Sequence, residues 1–94
     1  MRRPDLLAYE EGELSTEETV ALFQRLIDDG TVWQLPGSYG RTAMDFITAG
    51  ACMLGPEGHR DAYGNYVPSR FEVQPGTKGS PEYCEQMRQA RDEE

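Results

Sequence analysis

The chain has 94 residues and a formal net charge of −8, with Asp and Glu outnumbering Lys and Arg by 17 to 9. That length admits one domain at most, and the acidic balance leaves no basic stripe for sequence-independent binding to phosphate. No run of about 18 apolar residues exists to span a bilayer.

Large aliphatic groups are scarce and uneven. Val, Ile, Leu and Phe make up 16 residues, 13 of them within 1–54, so a core is expected there. The charge divides as −5 over residues 1–54 and −3 over 55–94. We therefore expect a helical module over 1–54 and a Gly/Pro-rich extension with a short C-terminal helix over 55–94. The extension has too few large apolar groups to order by itself. It either packs back on the helices or is held by a partner. Cys52 and Cys84 have no close-spaced mate and no signal-peptide pattern opens the sequence, so the expected compartment is reducing and cytoplasmic in type.

In chain order, Asp5–Leu14 reads as a short helix broken near Gly12, with Leu6, Tyr9 and Leu14 on one side. Ser15-Thr16-Glu17-Glu18 has capping-box spacing, and its acidic first turn suits the positive end of a helix dipole. The main helix is predicted over Thr16–Asp29, with a stripe of Val20, Phe23 and Ile27 widened by Leu22 and Leu26, and Gly30 as its left-handed stop. Thr31–Leu35 is expected to be extended or irregular, and Pro36-Gly37 a turn. A further helix over Tyr39–Ala49 shows Tyr39, Ala43, Phe46 and Ile47 on its apolar face and ends at Gly50. Two antiparallel helices joined by a loop under Trp33 result.

Beyond Leu54, five glycines and three prolines over 55–80 exclude long elements. Asp61–Val67 fits a tight β-hairpin turning at Gly64-Asn65, and Arg70–Val73 alternates like a short strand. Ser80-Pro81-Glu82 opens a last helix with a weak face of Tyr83, Met87 and Ala90, and Arg91–Glu94 is expected to fray. The fold class is mainly α: a helical hairpin or three-helix module, then an irregular Gly/Pro-rich segment with a short β-hairpin, then a last short helix.

Chemistry-bearing patterns are thin. Cys52, His59 and Cys84 lack metal-ligand spacing even with Asp61 added, and Cys84 in a helix's first turn is flanked by Glu82 and Glu85, which oppose a thiolate. Adjacent carboxylates sit at helix ends, where solvation keeps them ordinary acids. Asp61–Asn65 only partly imitates a calcium loop, since the middle ligands before Glu72 are missing. A helix-turn-helix reading meets a connection from Gly30 to Ser38 that is too long, with Arg41 as the second helix's one cation. The expectation is a non-enzymatic protein without metal or cofactor.

Two likenesses concern the N-terminal half. Leu6–Ser15 is similar to the start of anti-sigma zinc-finger domains, but the His and the Cys pair those domains carry farther on are not at the required places here. The second covers about residues 8–54: Ala8–Leu14, Leu22-Phe23-Gln24-Arg25-Leu26-Ile27-Asp28, Trp33-Gln34-Leu35, Tyr39-Gly40-Arg41-Thr42-Ala43 and Gly50-Ala51-Cys52. This series resembles a family of short, uncharacterised bacteriophage proteins, from which it departs at Pro36. The resemblance implies phage origin and a helical module, and brings no activity with it.

Gln34, Tyr39 and Arg41 are the candidate partner-contact residues, with the acidic Glu10, Glu11, Glu13, Glu17 and Glu18. Ser38 lies among the first group. The competing structural reading has Tyr39 capping the core and Arg41 bridging Asp28 or Asp29. The expected function is that of a small acidic phage accessory protein that binds a host protein and inhibits or retunes it, a defence nuclease or the transcription machinery, with acidic nucleic-acid mimicry as one route. The alternative is a virion or assembly component ordered by its neighbours. Direct nucleic-acid binding ranks below both. Partners are then a host or phage protein and no membrane, with a homo-oligomer or larger assembly left open. The location is the host cytoplasm, or alternatively the virion.

Overall fold

In the computed structural model, which describes residues 6–92, α1 (Leu6–Glu10) stops at Gly12, a left-handed residue with φ of 73°. Ser15 then caps α2 (Thr16–Asp29). Its Oγ accepts the Glu18 N–H at 3.1 Å and the Glu18 carboxylate accepts the Ser15 N–H at 2.9 Å, which is the expected capping box. Of the Arg91–Glu94 segment expected to fray, the last two residues lie outside the described ones, and helix continues to Asp92. Asp5, the expected first residue of the first helix, is likewise outside them.

α2 buries Leu22, Phe23, Leu26 and Ile27, while Val20 is half-buried at the edge of the stripe. Gly30 ends the helix at φ 82°, its N–H bonded to the Ile27 carbonyl at 3.2 Å. No other residue fits there, because the His59 imidazole occupies the space that a Cβ would need.

The expectation of an extended or irregular Thr31–Leu35 is corrected. Thr31–Gln34 is a 3-10 turn. The Asp29 carboxylate accepts the Thr31 N–H at 2.8 Å, and the Trp33 N–H reaches the Gly30 carbonyl at 3.2 Å. These bonds tighten the chain directly after its stop and turn Val32 and Trp33 inward. The second long helix, α3 (Gly37–Ala49), starts two residues before the predicted Tyr39, since the Tyr39 N–H bonds the Pro36 carbonyl at 2.9 Å and makes Pro36-Gly37 part of its first turn. Ala43 and Ile47 are buried, and Gly50 stops the helix at φ 78°.

Aromatic rings join these elements. Phe23, fully buried, meets Tyr9 edge-on at 5.2 Å and Phe46 at 5.4 Å, and stacks on Tyr39 at 6.3 Å. The core is thus mainly helical, as expected, and sits where α1, α2, the 3-10 turn and α3 converge.

The extension packs back on that core. Gln24 holds the Met53 backbone at both ends, donating to its carbonyl at 3.0 Å and accepting its N–H at 2.8 Å. Arg70 donates to the Leu54 carbonyl at 2.8 Å and pairs with Asp28 at 2.7 Å, 42 residues away in sequence. The Leu54 N–H bonds the Gly79 carbonyl at 3.0 Å. Ser80 opens α4 (Pro81–Asp92): its buried Oγ donates to the Thr77 carbonyl and accepts the Gly76 and Tyr83 N–H groups. From α4, Tyr83 donates to the Thr48 carbonyl and Met87 covers Gly50. Cys84, not Ala90, is the buried apolar group of this helix.

The hairpin is present with shorter strands than expected, β1 (His59–Arg60) and β2 (Tyr66–Val67), registered His59 to Val67 and Arg60 to Tyr66. The strand expected at Arg70–Val73 is absent. These residues form turns, because the Arg70 side chain is drawn to Asp28 and Leu54 while the Glu72 carboxylate accepts the Ser69 N–H at 3.1 Å and the Tyr66 hydroxyl at 2.6 Å. Alternation in sequence is overridden by side-chain capping.

The hairpin loop has a pH signature. Backbone N–H groups of Asn65 and Tyr63 on Asp61 hold its carboxyl below the ordinary 3.8, and the Tyr66 hydroxyl and Ser69 N–H do the same for Glu72 against 4.5. Both folded values are depressed, so their stabilisation is complete above the unfolded values and is lost as pH falls through the lower folded ones. In an acid titration followed by amide NMR, the Tyr63, Asn65 and Ser69 resonances should move with midpoints below those ordinary values. Midpoints at or above them would mean that the carboxylates are not bonded as described.

Candidate functional site

The residue patterns of the N-terminal half are largely consumed by the fold. Phe23, Leu26 and Ile27 form core, Gln24 and Asp28 dock the extension, and Ala43 is fully buried. Gly40 packs beside the Trp33 ring, which lies 3.9 Å from where a Cβ at Gly40 would stand, an ordinary contact distance. Cys52 is a packed thiol whose S–H points at the Val20 carbonyl, 3.6 Å away. Burial pushes it up to about 12, with the neighbouring Cys84 thiol and Asp28 adding to the effect, so its sulfur stays protonated at neutral pH. Neither cysteine is in a disulfide. Among the described residues no three His, Cys, Asp or Glu side chains gather as ligands. Asp61 Oδ1 accepts the backbone N–H groups of Tyr63 and Asn65, both at 2.9 Å, which makes it a cap of the hairpin loop.

The feature that is not consumed is a groove of about 530 Å³ at the start of α3. The 3-10 turn and first turns of α3 make one wall, with Trp33, Leu35, Pro36 and Met44. The hairpin loop makes the other, with Asp61, Ala62 and Tyr63. Two hydrogen bonds fix the walls to each other. The Ala62 N–H donates to the Trp33 carbonyl at 3.0 Å, and Gln34 Nε2 donates to the Arg60 carbonyl at 2.5 Å. Tyr63 at 85% exposure and Met44 at 38% present apolar surface at the rim. The volume lies in the range of ordinary binding clefts, and the lining is apolar with a few polar groups.

The sequence-predicted contact residues divide around this groove. Gln34 lines it while tying the walls together, and Arg41 lines it from α3. Arg41 does not bridge Asp28 or Asp29: Asp28 is taken by Arg70 and Asp29 by the Thr31 N–H. Among the described residues Arg41 has neither a hydrogen bond nor an ion pair. Tyr39 is half-buried on Phe23, and its hydroxyl donates to the Glu10 carboxylate, which pushes the phenol up to about 12 and keeps it a donor at neutral pH. That bond joins α1 to the first turn of α3, beside Arg41. Glu10, Glu11, Glu13 and Glu17 are exposed around the α1–α2 turn, with Glu18 committed to the cap. Ser38 is exposed on α3.

Leu35, Pro36, Met44, Ala62 and Tyr63 were not legible as site residues. They share a groove only because the hairpin folds back across 26 residues of chain to Gln34. In sequence the one hint is Tyr63 beside the Gly64-Asn65 turn, which periodicity does not register.

No helix among the described residues is long and apolar enough to cross a membrane. A family model described as a domain of unknown function (DUF7417) matches residues 4–68. The match runs past Leu54 and therefore takes in both walls of the groove, while α4 lies beyond it. No curated protein and no solved structure matches the chain.

Proposed function

This chain belongs to the DUF7417 family, and we propose that it is a small acidic accessory protein of phage origin that acts by binding a host protein and inhibiting or retuning it. The observation that carries this reading is the groove, an apolar cleft between two walls, bordered at its rim by exposed Tyr63 and Met44. Interfaces draw their affinity from such sites, where an inserted side chain is desolvated inside a polar rim. The acidic surface of the turn carrying Glu10, Glu11 and Glu13 is joined to the first turn of α3 by the Tyr39–Glu10 bond. Together with a net charge of −8, that surface steers the chain toward a basic partner, of which a nucleic-acid channel is one kind.

The test is affinity capture from a bacterial host lysate with the unaltered chain and with Met44→Glu in parallel. Met44 is on the outer part of α3, so the fold should be kept, as circular dichroism will check. A stoichiometric partner retained by the first and lost by the second is expected. Retention by both places binding elsewhere, and recovery of no partner by either removes the proposal.

A further inference from the structure

We infer that the groove receives a single apolar side chain with a carboxylate beside it, and that Arg41 is the residue that reads the carboxylate. This rests on the groove being the partner site proposed above, and it specifies the chemistry of what enters.

The argument starts from what the polar groups of the groove are already doing. Gln34 spends its amide N–H on the Arg60 carbonyl, and Asp61 spends its carboxylate on the N–H groups of Tyr63 and Asn65. Arg41 is different. It is exposed, it lines the groove, and among the described residues no acceptor is bonded to it. Arg60, likewise without an acidic side chain in ion-pair contact among the described residues, donates to the Gly64 carbonyl at 3.0 Å, whereas Arg41 has no such acceptor. Arg70 shows what an arginine here does when the fold requires it: it pairs with Asp28 and takes a carbonyl as well.

Guanidinium offers a planar fork of donors that matches a carboxylate at two points. Beside it, Trp33, Met44, Ala62 and Tyr63 supply apolar walls, and about 530 Å³ accommodates one aromatic or long aliphatic side chain with its own backbone. The net charge of −8 repels a uniformly acidic partner. The occupant is therefore an apolar residue next to an acidic residue or a chain end, on a partner surface that is otherwise basic. Charge complementarity at Arg41 selects the carboxylate locally, and the surrounding field selects the partner globally.

The probes are N-acetyl-L-phenylalanine and its amide, which differ only in the carboxylate, titrated at pH 7 into the full chain with amide and indole NMR as readout. The acid should shift the Trp33 indole and the Gly40, Arg41 and Ala62 amides, and the amide should bind about five-fold more weakly, the size of an exposed ion pair. Arg41→Gln should weaken the acid several-fold more than the amide and so remove most of the difference between the two probes. Because Arg41 is exposed and holds nothing among the described residues in place, the variant should fold, and the acid–amide comparison on the unaltered chain stands without it. Equal binding of acid and amide overturns carboxylate reading by Arg41. Shifts confined to another surface, or none from either probe, overturn insertion of an apolar side chain. The partner-site reading fails separately, when Met44→Glu keeps its captured partner.

Discussion

Phe23→Ala should cost about 3–5 kcal/mol in urea unfolding followed by Trp33 emission, most of the stability that a domain of this size has. The side chain is fully buried and touches rings from three other places in the fold, Tyr9 of α1 and Tyr39 and Phe46 of α3. Truncation leaves a cavity between helices that cannot close, because Ile27, Val32 and Ile47 are already fully buried around it. The loss also reaches the groove, since Tyr39 rests on Phe23 at the start of α3. Leu7→Ala is the control: Leu7 is 66% exposed, and its truncation should change stability by less than about 0.5 kcal/mol. A cost for Phe23→Ala as small as that would mean the aromatic cluster is not the centre of the core.

Gly55→Ala should undock the extension and cost about 1–3 kcal/mol, by forcing atoms into space already filled. A Cβ there would stand 2.8 Å from the Ile27 carbonyl oxygen and 3.2 Å from the Asp28 Cα. Both obstacles are backbone in the last turn of α2 and cannot rotate aside. The Gly55 carbonyl also accepts the Arg70 N–H at 2.8 Å, so displacing it disturbs the Arg70–Asp28 pair that locks the extension down. Hydrogen exchange discriminates. In the variant the Leu54, Arg70 and Ser80 amides should lose protection while amides in the middle of α2 keep theirs. Unchanged protection at Leu54 and Arg70 would show that the close approach at Gly55 does not hold the extension.

Why the helices were legible and the groove was not follows from the range of the forces involved. The capping box, the stripe of α2 and the glycine stops are local, each set within one or two turns, and so Thr16–Asp29 and its stop at Gly30 could be read residue by residue. The 3-10 turn depends on the Asp29 carboxylate reaching forward two residues to the Thr31 N–H, a side-chain contact that apolar periodicity does not report. Arg70–Val73 alternates like a strand, but a carboxylate 42 residues upstream claims Arg70. Gln24 and Asp28 stand in the stretch that carries the family resemblance, which does not reveal that they hold Met53 and Arg70. Arg41 is a candidate contact in sequence, but the second wall that surrounds it in the groove is not visible there. That wall is built by residues 61–63, and the bonds that bring it to Trp33 and Gln34 are long-range.

The acidic surface and the groove divide the work of binding between approach and anchoring. Carboxylates around the α1–α2 turn act at a distance and should fade as salt rises, whereas burial of a side chain against Trp33 and Met44 should not. The most direct measurement is a titration of the purified captured partner against the unaltered chain and Met44→Glu at physiological salt. A charge introduced on the apolar groove wall, where the partner's side chain would pack on Met44, should weaken binding at least about thirty-fold, the scale of a binding hot spot. Equal affinity of the two chains, with the fold of the variant intact, would contradict the assignment of the groove as the binding site.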